Sequence, residues 1–325
     1  IGLIHLIRAR LSINLPITVV FTAPTVAALA TIIFCEDELH SLLVPLQLRG
    51  EGPPLFCVHP VGGQVFFYQE LAQHLGEAFP IYGIQARESA DVSGYDDDIR
   101  AMAAGYCAAI RALQPTGPYR LIGWSTGGLI ALAVASALEA EGCEVSYLGL
   151  LDTHLGRQED ALTDEGLSWH AAMSTLSAIT SKMFSPYEIT AISDDLIEKK
   201  LTVTEFLSEE NRHIALPLFE AWTGMSITEE VLAYVQQQFA VTRRHLSLLN
   251  HFLPSPIKGR LHVYWADSPS VSLTTLEHYR ERVRQFDQPY HAESIDGDHY
   301  TMLKVPCVCS LGGKIVGHID PKPVI

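Results

Sequence analysis

The stretch LIGWSTGGLIALAVASALEA, Leu121–Ala140, leaves this chain very few folds to choose from. A short apolar run ends at a serine set between glycines, and a long apolar run of helical spacing follows at once. A buried strand that turns directly into a helix produces this pattern. Gly123 and Gly127 leave room where the strand and helix backbones cross, and Ser125 is left at the tip of the bend. G-x-S-x-G in that setting is a nucleophile elbow, which holds a serine hydroxyl out on a strained turn. A serine hydroxyl is a poor nucleophile until an oriented base takes its proton, so the elbow calls for partners elsewhere in the sequence.

The surrounding chain supplies a sheet for that strand. LLVPLQLRGEGPPLFCVHPVGG gives two apolar runs around RGEGPP, a hairpin-like turn, and VFFYQELAQHLG reads as a helix. PIYGIQ is a strand, roughly 96–113 a helix, YRLIG the strand of the elbow and VSYLGLLDT the next strand. From His154 to about Ile257 the pattern becomes helical with no obvious strand. GRLHVYWADS then restores a strand, LEHYRERVRQF a helix, and YHAESIDGDHYTML a strand leading into a loop. Strands alternating with helices predict a parallel α/β sheet. A helical block inserted between two of its strands is the pattern of a lid.

Chain order then proposes the partners. Asp152 closes the apolar run one strand after the elbow, and His299 lies in DGDHYTM, after the last strand. Serine, then acid, then histidine is the order of an α/β-hydrolase triad, each member at the end of a strand. Asp267, in VYWADS, is a second position for the acid. Acyl transfer also needs donors aimed at the developing oxyanion. The backbone N–H of Thr126, directly after the nucleophile, is one candidate. Val61, in the glycine-rich HPVGG turn after an earlier strand, is the other; a plain strand-to-helix turn is the simpler reading of HPVGG.

Composition removes several functions. Thirty-seven acidic residues against 22 basic ones give a net charge of −15, unsuited to nucleic acid or anionic membranes. Six cysteines in a chain with its own core read as reduced thiols, and Cys307 and Cys309 have neither zinc-knuckle nor C-x-x-C spacing. Acidic residues at Asp96–Asp98 open a helix and favour its dipole, so they need no metal. No metal site and no directly bound cofactor is expected. His154, His170 and His213 fall in or beside the helical block and read as solvated or packing residues, while Trp124 and Tyr300 flank catalytic positions.

The uncharged run Leu11–Cys35 follows Arg8 and Arg10 and carries VAALA, as a signal peptide would. Pro16 and Pro24 interrupt it, however, and Asn14, Thr18, Thr22, Thr25 and Thr31 dilute it. It reads as two short helices rather than a membrane span, and a cytoplasmic location is expected.

Two resemblances follow from these residues. Residues 1–33, with a helical stripe at Leu3, Ile4, Ile7 and Leu11 and the segment LPITVVFTAPTVAALA, resemble the C-terminal part of a peptidyl carrier domain. The serine that carries phosphopantetheine in that family has no counterpart here, because Ser12 and Ser41 lack its G-G-x-S context. The sequence is therefore expected to be a piece of a longer protein. Residues 34–43 read as a linker.

Residues 44–325, with the lid at about 154–257, resemble the type I thioesterase domain of nonribosomal peptide synthetases. PLFCVHPVGG, GWSTGG, LLD and GDHYTML carry the match. The resemblance implies an α/β-hydrolase fold with a helical lid, preceded by a partial helical carrier domain. It implies that Ser125 takes a peptidyl chain from a carrier's pantetheine thioester and that water or an internal amine or hydroxyl releases it. It favours Asp152 over Asp267 as the acid and makes the upstream carrier and synthetase modules the partners. The alternatives are a stand-alone editing thioesterase, a lipase-like serine esterase or a non-catalytic docking module. One departure is the segment after His299, LKVPCVCSLGGKIVGHIDPKPVI, a weak closing helix with paired glycines and late prolines.

Overall fold

The computed structural model describes residues 42–86, 98–153, 210–223, 229–250, 254–267 and 289–319, with scattered positions outside them. The chain divides into two compact units, one of residues 1–39, 88–94 and 158–250, the other of residues 40–87, 95–157 and 251–325.

The second unit is built on a seven-stranded sheet. Its strands are β1 (Leu43–Gln47), β2 (Leu55–Val58), β3 (Ile81–Ile84), β4 (Tyr119–Trp124), β5 (Val145–Leu151), β6 (Leu261–Asp267) and β7 (Tyr290–Asp296), in spatial order β1-β3-β2-β4-β5-β6-β7. All neighbours are parallel except β1, which runs antiparallel to β3. The helices are α1 (Gln69–Leu75), α2 (Ile99–Leu113), α3 (Thr126–Ala140) and, at the C-terminal side, α6 (Cys307–Ile319). β2, the C-terminal part of β4 and all but one residue of β5 are buried without alternation. Helices covering both faces of a parallel sheet require that pattern.

Sequence logic explains the helices beside the elbow. α3 is apolar on every side and buries ten of its residues, from Gly127 to Leu138, as a helix enclosed by its own protein must. α2 starts where Asp98 accepts N–H bonds from Arg100 and Ala101 at 2.7 and 2.8 Å, and it packs against α3.

Two local expectations are corrected. β1 and β2 are joined through RGEGPP but do not pair as a hairpin, because β3 lies between them. β2 is wholly buried, so both of its edges need strand partners, and it takes β3 and β4. The segment after His299 forms a proper helix despite Gly312, Gly313 and Gly317. Val308, Leu311 and Ile315 form a buried stripe at helical spacing, and the helix packs on α1.

The order of strands fixes where a site can form. From β2 the chain moves to β3 on one side, then crosses to β4 on the other. The loops leaving β2 and β4 therefore diverge and open a crevice at the C-terminal strand ends, where ligands bind in open α/β sheets. HPVGG and Ser125 are on those two loops.

In the first unit the described elements are helical: α4 (Arg212–Thr223) and α5 (Glu229–Asn250), between β5 and β6 in sequence. Of the N-terminal stripe, Ile7 is buried, whereas Leu3 and Leu11 are each 54% exposed. Most of residues 1–33, His154, His170 and the expected helix LEHYRERVRQF lie outside the described residues. Among the described residues no helix is long and apolar enough to cross a membrane.

Candidate active site

The elbow forms at the end of β4. Ser125 has φ 57° and ψ −130°, a region that a residue with a side chain enters only under strain. Among the described residues Ser125 shares a positive φ with a single other non-glycine, Asp152 at 44°. Both strained residues are thus sequence-predicted site residues. The bend is possible because neither flanking glycine carries a side chain. A Cβ on Gly123 would lie 2.2 Å from the Gly127 carbonyl oxygen, and one on Gly127 would lie 2.7 Å from the backbone oxygens of Val58 and His59. The Ser125 hydroxyl makes no capping bond to α3. Its backbone N–H donates to the Leu151 carbonyl at 2.8 Å, which ties the elbow to the residue before Asp152.

Asp152 and His299 meet. The imidazole Nδ1 is 2.7 Å from Asp152 Oδ2, and the Ala266 N–H donates to Oδ1 at 3.2 Å. The Asp152 N–H in turn donates to the Tyr264 carbonyl at 2.8 Å. Strand β6 therefore orients this carboxylate through its backbone. Asp267, the rival acid, ends β6 exposed and pairs in register with Asp296.

The loop bearing His299 is shaped by Asp298. Its Oδ1 accepts from the N–H groups of Tyr300 and Thr301 and from the Thr301 hydroxyl, at 2.8–3.0 Å. Farther on, Glu70 of α1 anchors the same segment by a 2.8 Å ion pair with Lys304 and a 3.0 Å bond from the Val305 N–H.

Three sets of contacts were not foreseen from the sequence, although it singled out Trp124, Tyr300, Val61 and Thr126. The indole of Trp124 stacks on His299 with ring centroids 5.0 Å apart, and its N–H donates to the His299 carbonyl at 2.9 Å. Trp124 is thus a positioning residue for the imidazole, and Tyr300 packs edge-on against both rings. The buried Tyr68 hydroxyl donates to Val58 O and accepts from Trp124 N–H, both at 2.7 Å, clamping the ends of β2 and β4 together. Only its place in an apolar helix start marked Tyr68, and a buried tyrosine hydroxyl does require partners.

The third concerns the oxyanion donors. Thr126 is the first residue of α3, so its N–H belongs to the unpaired first turn. The Val61 N–H donates instead to the Thr126 hydroxyl at 2.6 Å. The two candidate donors are thus brought together, with the Thr126 side chain holding one of them. Two residues before Val61, His59 is fully buried between the Pro60 carbonyl and the Tyr106 hydroxyl, each 2.7 Å away. Burial pushes its pKa down to about 4. His213, by contrast, is exposed on α4.

Comparison with known proteins places these features in a family. The model described as "Thioesterase domain" matches residues 53–315. A dimodular nonribosomal peptide synthase of Bacillus subtilis (strain 168) is 42% identical over 156 residues, 47% of this chain and 7% of that protein. Chondramide synthase of Chondromyces crocatus is 28% identical over 329 residues, 97% of this chain and 8% of that protein. The chain thus spans less than a tenth of either relative. Among solved structures, a holo four-domain nonribosomal peptide synthetase bound to AMP and glycine aligns over 99% of this chain and 23% of its own length. Its TM-score is 0.71 at 21% identity. The Vlm2 thioesterase domain bound with a dodecadepsipeptide aligns over 85% of this chain and 97% of its own length, with a TM-score of 0.57 at 21% identity.

Proposed function

The chain belongs to the thioesterase domain family and has its α/β-hydrolase fold, and from that premise we propose that it releases a peptidyl chain from the carrier of a nonribosomal peptide synthetase. The observation that carries the mechanism is the 2.7 Å bond between Asp152 and His299 beside a strained serine elbow.

In this reading Ser125 Oγ attacks the thioester carbonyl while His299 Nε2 accepts its proton. Asp152 holds the Nδ1–H tautomer and stabilises the imidazolium that results. The oxyanion takes the N–H of Thr126, and that of Val61 once the Thr126 hydroxyl gives it up. Collapse of the tetrahedral intermediate expels the pantetheine thiolate, which leaves with the proton from His299. Water, or an amine or hydroxyl of the peptide itself, then attacks the seryl ester with His299 again as base. The product is a free acid or a macrocycle, and Ser125 recovers its proton.

The pantetheine belongs to the substrate and is carried by a carrier domain of the synthetase. Residues 1–33 are read as the end of such a domain, 34–43 as a linker and 44–325 as the thioesterase. Chondramide synthase and the four-domain synthetase align with 97% and 99% of the chain, so the likeness extends beyond residues 53–315. The buried free thiols of Cys57 and Cys107 suit a reducing cytoplasm.

The test is turnover of a synthetic peptidyl-pantetheine thioester against the matching simple ester, with the products identified by mass spectrometry. The reading expects a clear preference for the thioester and a released acid or ring. A preference for the simple ester would mark a lipase-like esterase. Absence of turnover and of labelling by a fluorophosphonate would mark a docking module.

A further inference from the structure

At the opposite end of the sheet, near the N-terminal ends of β6 and β7, three histidines and a glutamate gather from distant parts of the sequence. His262 and His291 are register partners on adjacent strands, and Tyr264 and Glu293 are the pair two residues on. α6 brings His318 to the same place from its last turn. One donor atom each from His291, Glu293 and His318 lies within 4.8 Å of the others. Both imidazole Nε2 atoms converge on one carboxylate oxygen, Glu293 Oε1, at 3.0 and 3.1 Å. Ligand atoms around a tetrahedral zinc ion with bonds of 2.0–2.1 Å stand ~3.3 Å apart, so little movement separates this arrangement from a coordination shell.

Two further observations point to a ligand. The Nδ1 of His318 is 2.8 Å from the Tyr264 hydroxyl, which is 3.0 Å from the Tyr147 hydroxyl. A metal-bound histidine characteristically has its other ring nitrogen fixed in this way. His262 is 7% exposed, with its ring centroid 4.4 Å from that of His318 and 5.7 Å from that of His291. Among the described residues neither of its ring nitrogens has a hydrogen-bond partner. Its ring packs against those of His318 and Tyr147, so a third imidazole, unpaired among those residues, lines the cluster.

We propose that His291, Glu293 and His318 form a binding site for a zinc-class divalent transition metal. Imidazole nitrogens with one carboxylate suit zinc, nickel or copper and disfavour calcium and magnesium, which require oxygen ligands. Without metal, both Nε2–H groups donate to Glu293. On binding, each nitrogen gives its lone pair to the ion, and the protons shift to the Nδ1 atoms. That of His318 then donates to Tyr264, whose own hydroxyl turns to Tyr147. Lys314 pairs with the other carboxylate oxygen and remains there, so Glu293 binds through Oε1 alone. His291 is more than half exposed and provides the entry path. The ion pins the last turn of α6 to the edge strand β7, ~16 Å of strand away from the end that carries the triad.

The test uses the full chain stripped with a chelator and titrated with zinc sulfate in a calorimeter. One equivalent is expected to bind with a Kd in the micromolar range or below, and zinc at about 100 times Kd raises Tm by about 4 °C. His291→Ala and Glu293→Gln each weaken binding by at least ten-fold and remove the Tm rise, while a melt without metal confirms that they fold. Thioester turnover is unchanged in both, because neither touches the triad. Absence of saturable binding below about 100 μM, or unaltered binding in both variants, would overturn the site.

Discussion

Replacing Asp152 by Asn tests the acid of the triad with little change of shape. The structure dictates how the new amide must sit. Its oxygen has to take the place of Oδ1 and accept from the Ala266 N–H, since the reverse orientation would set two donors against each other. The amide NH2 then faces His299 Nδ1, now 2.7 Å from a carboxylate oxygen. A nitrogen facing a donor must present its lone pair, so the imidazole proton moves to Nε2. That tautomer cannot take the proton of Ser125. In serine proteases the same change lowers kcat about 10⁴-fold, which is about 5.5 kcal/mol of transition-state stabilisation. The same loss is expected here, with stability altered by less than about 1 kcal/mol because the side chain keeps its volume and its bond to Ala266. Asp267→Asn, at an exposed strand end, should change kcat by less than about ten-fold. Thiol release from a peptidyl-pantetheine thioester measures both rates, with thermal melts as the control for folding. Asp152→Asn within about ten-fold of the parent, or a larger loss in Asp267→Asn, would refute the reasoning.

Two further outcomes concern the frame of the site. His59 has its pKa pushed down to about 4 by burial, below the ordinary value of 6.5. Between those values the unfolded chain binds a proton that the folded chain refuses. Its contribution is therefore intact above pH 6.5 and falls away by about 3 kcal/mol as pH drops towards 4; urea unfolding across that range should show a dependence that His59→Gln flattens. Tyr68→Phe strips partners from the Val58 carbonyl and the Trp124 N–H inside the core. It should destabilise the protein by about 2–5 kcal/mol in denaturant titration, and a loss below about 1 kcal/mol would show that the clamp is dispensable.

How much of this was legible in the sequence depended on whether the signal was local. The elbow was, because a strand running into a helix through two glycines writes its sterics into neighbouring positions. The alternation of strands and helices was too, since each element carries its own apolar period. Pairing across the sheet was not: the turn between β1 and β2 looked like a hairpin because nothing nearby announces that β3 will lie between them. α6 looked weak because its glycines stood out more than the Val308, Leu311 and Ile315 stripe that buries it. The bond between Val61 and Thr126 joins two loops 65 residues apart, and the histidine cluster draws on β6, β7 and α6. Neither has a spacing that a linear reading recognises.

The central claim is that the peptidyl chain passes through an ester on Ser125. The direct measurement is intact-protein mass spectrometry of the chain quenched during turnover of a peptidyl-pantetheine thioester, followed by mapping of the modified peptide. The account predicts a mass gain equal to the acyl group, located on Ser125 in the Leu121–Ala140 segment. Ser125→Ala should show no such gain and should lose ~10⁶-fold in kcat while remaining folded. An acyl group on another residue, or Ser125→Ala that retains most of its turnover, would contradict it.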